Sequence, residues 1–114
     1  MILSKKCIIY SAFGHRCMEE AFLSAKVTRK ITKDKIDLVL HTDTAVDNDG
    51  SFNEIFVTKK PDSFNGKPYA FRIQGMIDIC KNFNFDQFLY LDTDAFIKKP
   101  EALEIFELLN QFDI

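Results

Sequence analysis

Asp92-Thr93-Asp94 sets two carboxylates two residues apart, directly behind the apolar run Phe88-Leu89-Tyr90-Leu91. A strand buried on both faces of a parallel sheet carries such a run, so the acids sit where that strand leaves the core. In open α/β sheets this carboxyl edge is where ligands bind. Residues two apart in extended chain point the same way. Two hard oxygen ligands on one side suit Mg²⁺ or Mn²⁺, which take one or two protein carboxylates together with substrate phosphates. The competing reading of the same residues is a strand-end turn with a capping carboxylate.

A second Asp-x-Asp, Asp47-Asn48-Asp49, follows no apolar run and leads into Gly50, which marks a solvated turn. Framed as an EF-hand loop it fails, because position one is Ala45 and position twelve is Phe56. A Walker loop, Gly-x-Ser-x-Gly and His-Glu-x-x-His are all absent. His15 and His41 stand alone in the sequence and are expected at the surface or in loops rather than as ligands.

The elements that must position the acids follow from periodicity. Cys7–Tyr10 is a first strand, ending at Ser11-Ala12-Phe13-Gly14. From Arg16 to about Thr32, Cys17, Met18, Ala21, Phe22, Ala25 and Thr28 recur at helical spacing. Ile36–Leu40 is a second strand, ending in His41-Thr42-Asp43, and Glu54–Thr58 a short third. The segment from Lys59 to Pro68, with two prolines and a glycine, is a loop. Tyr69–Phe83 is a helix whose inward stripe is expected to be Tyr69, Ile73, Met76, Ile77, Cys80 and Phe83. Gln87–Leu91 is the fourth strand. Pro100 opens a last helix with Ala102, Ile105, Phe106, Leu109 and Phe112 on its buried face.

Strands alternating with helices imply an α/β, Rossmann-like, mostly parallel open sheet with helices on both faces. In the order 3-2-1-4, the switch point falls between strands one and four. Ser11 to Gly14 then lies beside Asp92 to Asp94, with Asp43 lining the same crevice. Three strand ends bearing polar groups converge.

Composition sets the outer limits. The 114 residues suffice for one domain with its own core, and 15 basic against 17 acidic side chains leave no polyanion or nucleic-acid footprint. Twelve Phe and no Trp indicate an aromatic core. The three cysteines, Cys7, Cys17 and Cys80, form no CxxC and are expected as buried reduced thiols, which favours a cytoplasmic address. No signal-peptide apolar region or transmembrane segment is visible.

With these elements the chain resembles the nucleotide-diphospho-sugar glycosyltransferases of the GT-A fold. The resemblance rests on Cys7-Ile8-Ile9-Tyr10-Ser11, on Asp37-Leu38-Val39-Leu40-His41-Thr42-Asp43, and above all on Gln87-Phe88-Leu89-Tyr90-Leu91-Asp92-Thr93-Asp94. It implies a partial GT-A fold and a donor site that includes Thr93 of the acidic motif. Asp92 and Asp94 would hold Mn²⁺ or Mg²⁺ on the donor diphosphate. Ser11 and Ala12 would lie against the nucleoside and Asp43 near the base. Arg72 would face the diphosphate, its plainer alternative being an exposed helix arginine. The sugar acceptor is not implied. The family domain is about twice this length, within the usual span of one domain. The chain therefore matches its nucleotide-binding half and is expected to be a fragment, or a binding or structural remnant without catalysis. An uncovered sheet edge would then favour self-association or a partner subunit.

Two other families set comparable residues differently. Haloacid-dehalogenase-like phosphatases carry Asp-x-Asp on the first strand, with Thr or Val two residues beyond the second Asp; here that residue is Phe96. Sugar-nucleotide pyrophosphorylases need a Gly-rich basic loop after strand one, and Ser11-Ala12-Phe13-Gly14-His15-Arg16 has a single Gly.

Overall fold

The computed structural model describes residues 5–33, 35–59, 68–93, 95 and 99–111, without the side chains of 68, 69, 100 and 109–111. The elements run β1 (Lys6–Ala12), α1 (His15–Thr32), β2 (Asp37–Thr42), β3 (Glu54–Val57), α2 (Pro68–Asn82) and β4 (Gln87–Tyr90). A 3-10 segment, Pro100–Glu104, then leads into α3 (Ile105–Gln111). The four strands form one parallel sheet in the order β3-β2-β1-β4, the order the strand–helix alternation implies. This is a Rossmann-like α/β sheet.

β1 is central, and alternation sends its side chains into two cores. Ile8, Tyr10 and Ala12 pack with Ala21 and Ala25 of α1, Leu38 and Leu40 of β2, Phe52 and Phe106. Cys7 and Ile9 pack on the opposite face with Val39 and Ile79 of α2. Both sides of the sheet are thus covered, which is why β1 and β2 carry apolar residues without alternation.

Gly14 turns the chain from β1 into α1 at φ 87, a left-handed value that disfavours residues with a Cβ. α1 buries Ala21, Ser24, Ala25, Thr28 and Thr32, while Cys17, Met18 and Phe22 pack at the margin. The Asp47–Ser51 turn holds itself. Asn48 Oδ1 accepts from Gly50 N–H at 3.0 Å and Asp49 Oδ1 from Ser51 N–H at 3.0 Å, with Lys26 Nζ 3.1 Å from Asp49.

α2 presents a different face from the one its apolar stripe suggests. Phe71, Gly75 and Ile79 are buried, whereas Ile73 and Ile77 are 58% and 42% exposed. The reason is His41. A Cβ built on Gly75 would overlap the imidazole, so α2 lies with its one glycine against that ring. Met76 and Phe83 are half-buried and Cys80 is exposed, so only Cys7 among the thiols is fully enclosed.

The last helix is also rotated. Phe106 is buried and Leu103 half-buried, while Ala102 and Ile105 are exposed. Residues 100–104 wind with three residues per turn, which breaks the α-helical phase before Ile105. The Leu109 side chain and Phe112 lie outside the described residues. No described helix is long and apolar enough to cross a membrane.

Candidate functional site at the carboxyl edge of the sheet

Parallel pairing brings the strand ends to one edge. Ser11 pairs with His41 and Ala12 with Thr42, so Asp43 leaves β2 beside the end of β1. On the other flank Ile9 pairs with Tyr90, and Leu91 N–H donates to Ile9 O at 2.9 Å. Asp92 follows at the rank of Ser11. Asp92 is exposed and Thr93 half-buried; Asp94 lies outside the described residues. Ala95 N–H donates to Asp92 O at 2.9 Å, a contact between residues three apart.

The other site residues are placed less openly. Ser11 is 2% exposed and Ala12 fully buried, so a ligand touches them only if the covering side chains move. Asp43 is half-buried and accepts from Thr44 Oγ1 at 3.2 Å. Arg72 is half-buried on α2, next to Phe71, whose ring centre is 4.8 Å from that of Phe13. That contact puts the start of α2 at the same edge.

His41, expected at the surface, is completely buried. Its Nε2 is 2.8 Å from Thr58 Oγ1 and its Nδ1 3.4 Å from Ser11 Oγ. Phe13, Phe71 and Phe56 surround the ring at 5.4, 5.0 and 6.1 Å between centres. Burial pushes its pKa below the usual histidine value, against the weaker pull of the Asp78 and Asp43 charges. Its position at the end of an apolar strand with Ser11 as neighbour was a usable signal, since a parallel strand enclosed on both faces buries its polar members too.

The parts that Glu20, Ser24 and Tyr10 play at this edge escaped the sequence reading. Thr93 Oγ1 donates to Glu20 Oε2 at 3.1 Å. Ser24 Oγ donates to Ala95 O at 2.6 Å, and the Ser24 hydroxyl lies 3.0 Å from Tyr10 Oη. Tyr10 Oη is in turn 2.9 Å from Thr28 Oγ1. A Tyr in a buried strand and a Ser on the buried stripe of a helix each need a hydrogen-bond partner, and that need was the available clue.

On the α1 side of the edge, an open groove of about 290 Å³ runs between Met18 and Phe22 of α1 and Val46 and Asp47 after β2. A neighbouring hollow of about 240 Å³ continues it past Gly14 and Thr44. Its floor is apolar and its rim polar, the usual make-up of a small-molecule crevice. His15 and Glu19, paired at 2.9 Å, stand on the rim.

For a divalent cation, the exposed Asp92 carboxylate at the end of β4 is a suitable hard oxygen donor. Among the described residues no three His, Cys, Asp or Glu side chains gather into a metal cluster. No protein-family model and no curated protein matches the chain.

Proposed function

We propose that the chain binds a nucleotide-diphospho-sugar at the carboxyl edge through Mn²⁺ or Mg²⁺ held by Asp92 and Asp94, as the donor-binding part of a glycosyltransferase. The observation that supports this most is the register: Asp92 leaves β4 at the rank of Ser11, beside the switch point of an open parallel sheet. Transfer breaks the bond between sugar C1 and phosphate, and negative charge grows on the departing diphosphate. A bound divalent cation supplies Lewis-acid stabilisation of that charge. Asp92 and Asp94 serve as ligands rather than as acid and base. The Arg72 guanidinium contributes an attraction that grows as the charge develops. The groove between α1 and Val46 offers room for the nucleoside.

Titration of the chain with nucleoside-diphosphate sugars differing in base and sugar, with and without Mn²⁺, tests the reading. Binding is expected to require the metal and to disappear in Asp92→Asn. Binding that survives either change retires the assignment.

A second reading, donor binding without catalysis, draws support from the enclosure of His41 and Ser11. These two groups could exchange a proton, yet both are buried, His41 between the rings of Phe13 and Phe71. Metal-dependent binding with no sugar-nucleotide hydrolysis favours it; slow Mn²⁺-dependent hydrolysis favours the enzyme.

A further inference from the structure

We propose that the groove between α1 and residues 44–47 holds the base of a guanosine nucleotide, with the Asp47 carboxylate accepting from its N1–H and N2–H groups. The inference rests on the nucleotide-binding reading above and names the base that the site selects.

Size and charge decide which part of the ligand lies there. The groove measures about 290 Å³, at the lower end of small-molecule sites, which span about 300–1,000 Å³. That suits a ring system rather than a whole sugar nucleotide. Met18, Phe22 and Val46 give it an apolar floor. Phe22 is held edge-on by the ring of Phe52, with 5.0 Å between centres, and Phe52 is buried. A flat ring laid on a thioether and an anchored phenyl gains both buried area and sulfur–aromatic contact. The rim carries Glu19, Asp47 and Asp49, and no Lys or Arg is among the described residues that line the groove. A diphosphate is therefore repelled from it, and the base end enters. The second hollow, past Gly14 and Thr44, leads toward the ends of β1 and β2. That is the course left for the ribose and the phosphates.

One of the three rim carboxylates is open to a base. Glu19 Oε1 is 2.9 Å from His15 Nε2. Asp49 is taken up by Ser51 N–H at 3.0 Å and by Lys26 Nζ at 3.1 Å. Asp47 is exposed and makes no hydrogen bond or ion pair among the described residues. Its neighbours fix where it stands. Asn48 Nδ2 donates to Phe52 O at 2.7 Å, and Asp49 ties the loop to α1 through Lys26.

The donor pattern of the bases makes the choice. An ionised carboxylate only accepts, at two oxygens, and pairs best with two parallel N–H groups. Guanine carries such a pair on one edge, N1–H beside the N2 amino group. Adenine and cytosine set a ring-nitrogen acceptor next to their amino group. Uracil flanks its single N3–H with two carbonyls. On those edges the carboxylate meets lone pairs, so the group that binds guanine also rejects the others.

Nuclear magnetic resonance titration of the isotope-labelled full chain with guanosine, inosine, adenosine and uridine tests the proposal. These nucleosides carry no phosphate, so no metal is needed. Guanosine is expected to shift the amides of Gly14, Val46 and Asp47. It is expected to bind about 10–100-fold tighter than inosine, which lacks the N2 amino group. In Asp47→Asn and Asp47→Ala that preference is expected to vanish; Asp47 is exposed, so neither change disturbs the core. Equal binding of the nucleosides to wild type, or a preference for another base, overturns the base selection and leaves the nucleotide reading standing. A guanosine preference that survives Asp47→Ala overturns the part given to Asp47. A parallel titration with the corresponding nucleoside diphosphates and Mn²⁺ separates the two readings. Binding of a diphosphate when no nucleoside binds overturns the groove assignment alone. No binding of any of them overturns the inference and the donor-binding reading together.

Discussion

Two hydroxyls and three phenyl rings surround the imidazole of His41, an environment that suits the neutral ring. Burial is the main cause of its lowered pKa, so the unfolded chain takes up a proton at a higher pH than the folded one. Stability is therefore complete above 6.5, the ordinary histidine value, and is lost progressively as pH falls below it. The urea midpoint is expected to drop from about pH 7.5 to about pH 5.5, and the slope to flatten in His41→Gln. Gly75→Ala presses a methyl group into the same ring and is expected to cost about 1–3 kcal/mol in urea titration, by overpacking. The strand position of His41 hinted at its burial, but the groups around the ring were not legible from a single polar letter. Its enclosure depends on Phe13 after β1 and on Phe71 and Gly75 of α2, two stretches far apart in the chain. The place of Asp92 just past β4 was legible because the run Phe88–Leu91 announces the strand locally.

The strands and α1 follow from sequence pattern because their partners leave little choice. β1 has strands on both edges and helices on both faces, so nearly all of its residues are apolar and its place in the order is determined. α2 shows where pattern fails. Six apolar residues at helical spacing suggested one stripe, yet the fully buried positions are Phe71, Gly75 and Ile79, with Gly75 set against the histidine ring. The consequence is measurable. Ile79→Ala is expected to destabilise by about 2–5 kcal/mol in urea unfolding, as loss of an enclosed aliphatic group does. Ile77→Lys is expected to stay within about 0.5 kcal/mol, as for an ordinary surface change. Comparable losses for the two would mean that α2 docks as its apolar stripe suggests.

For the molecule as a whole, the thiols report how tightly the sheet is closed. Cys7 is enclosed at its centre, and burial, with Asp37 and Cys80 adding to it, pushes the thiol up to about 12. Cys80 is exposed on α2, although its partial enclosure also raises its pKa. Cys80 is expected to react with a disulfide reagent within minutes, since the thiolate is the reacting species and access controls the rest. Cys7 is expected to react only at the rate of global opening, so the slow phase should follow urea as unfolding does. Equal rates for the two would contradict the closed sheet. The order β3-β2-β1-β4 carries one more implication. Lys6 pairs with Gln87, near the other end of the described chain, while β2 and β3 gather on the opposite flank. During synthesis β1 emerges before the three other described strands and keeps one flank unpaired until β4 arrives. The β1–β4 pairing is thus a contact of long sequence separation, the kind that forms late and slows folding.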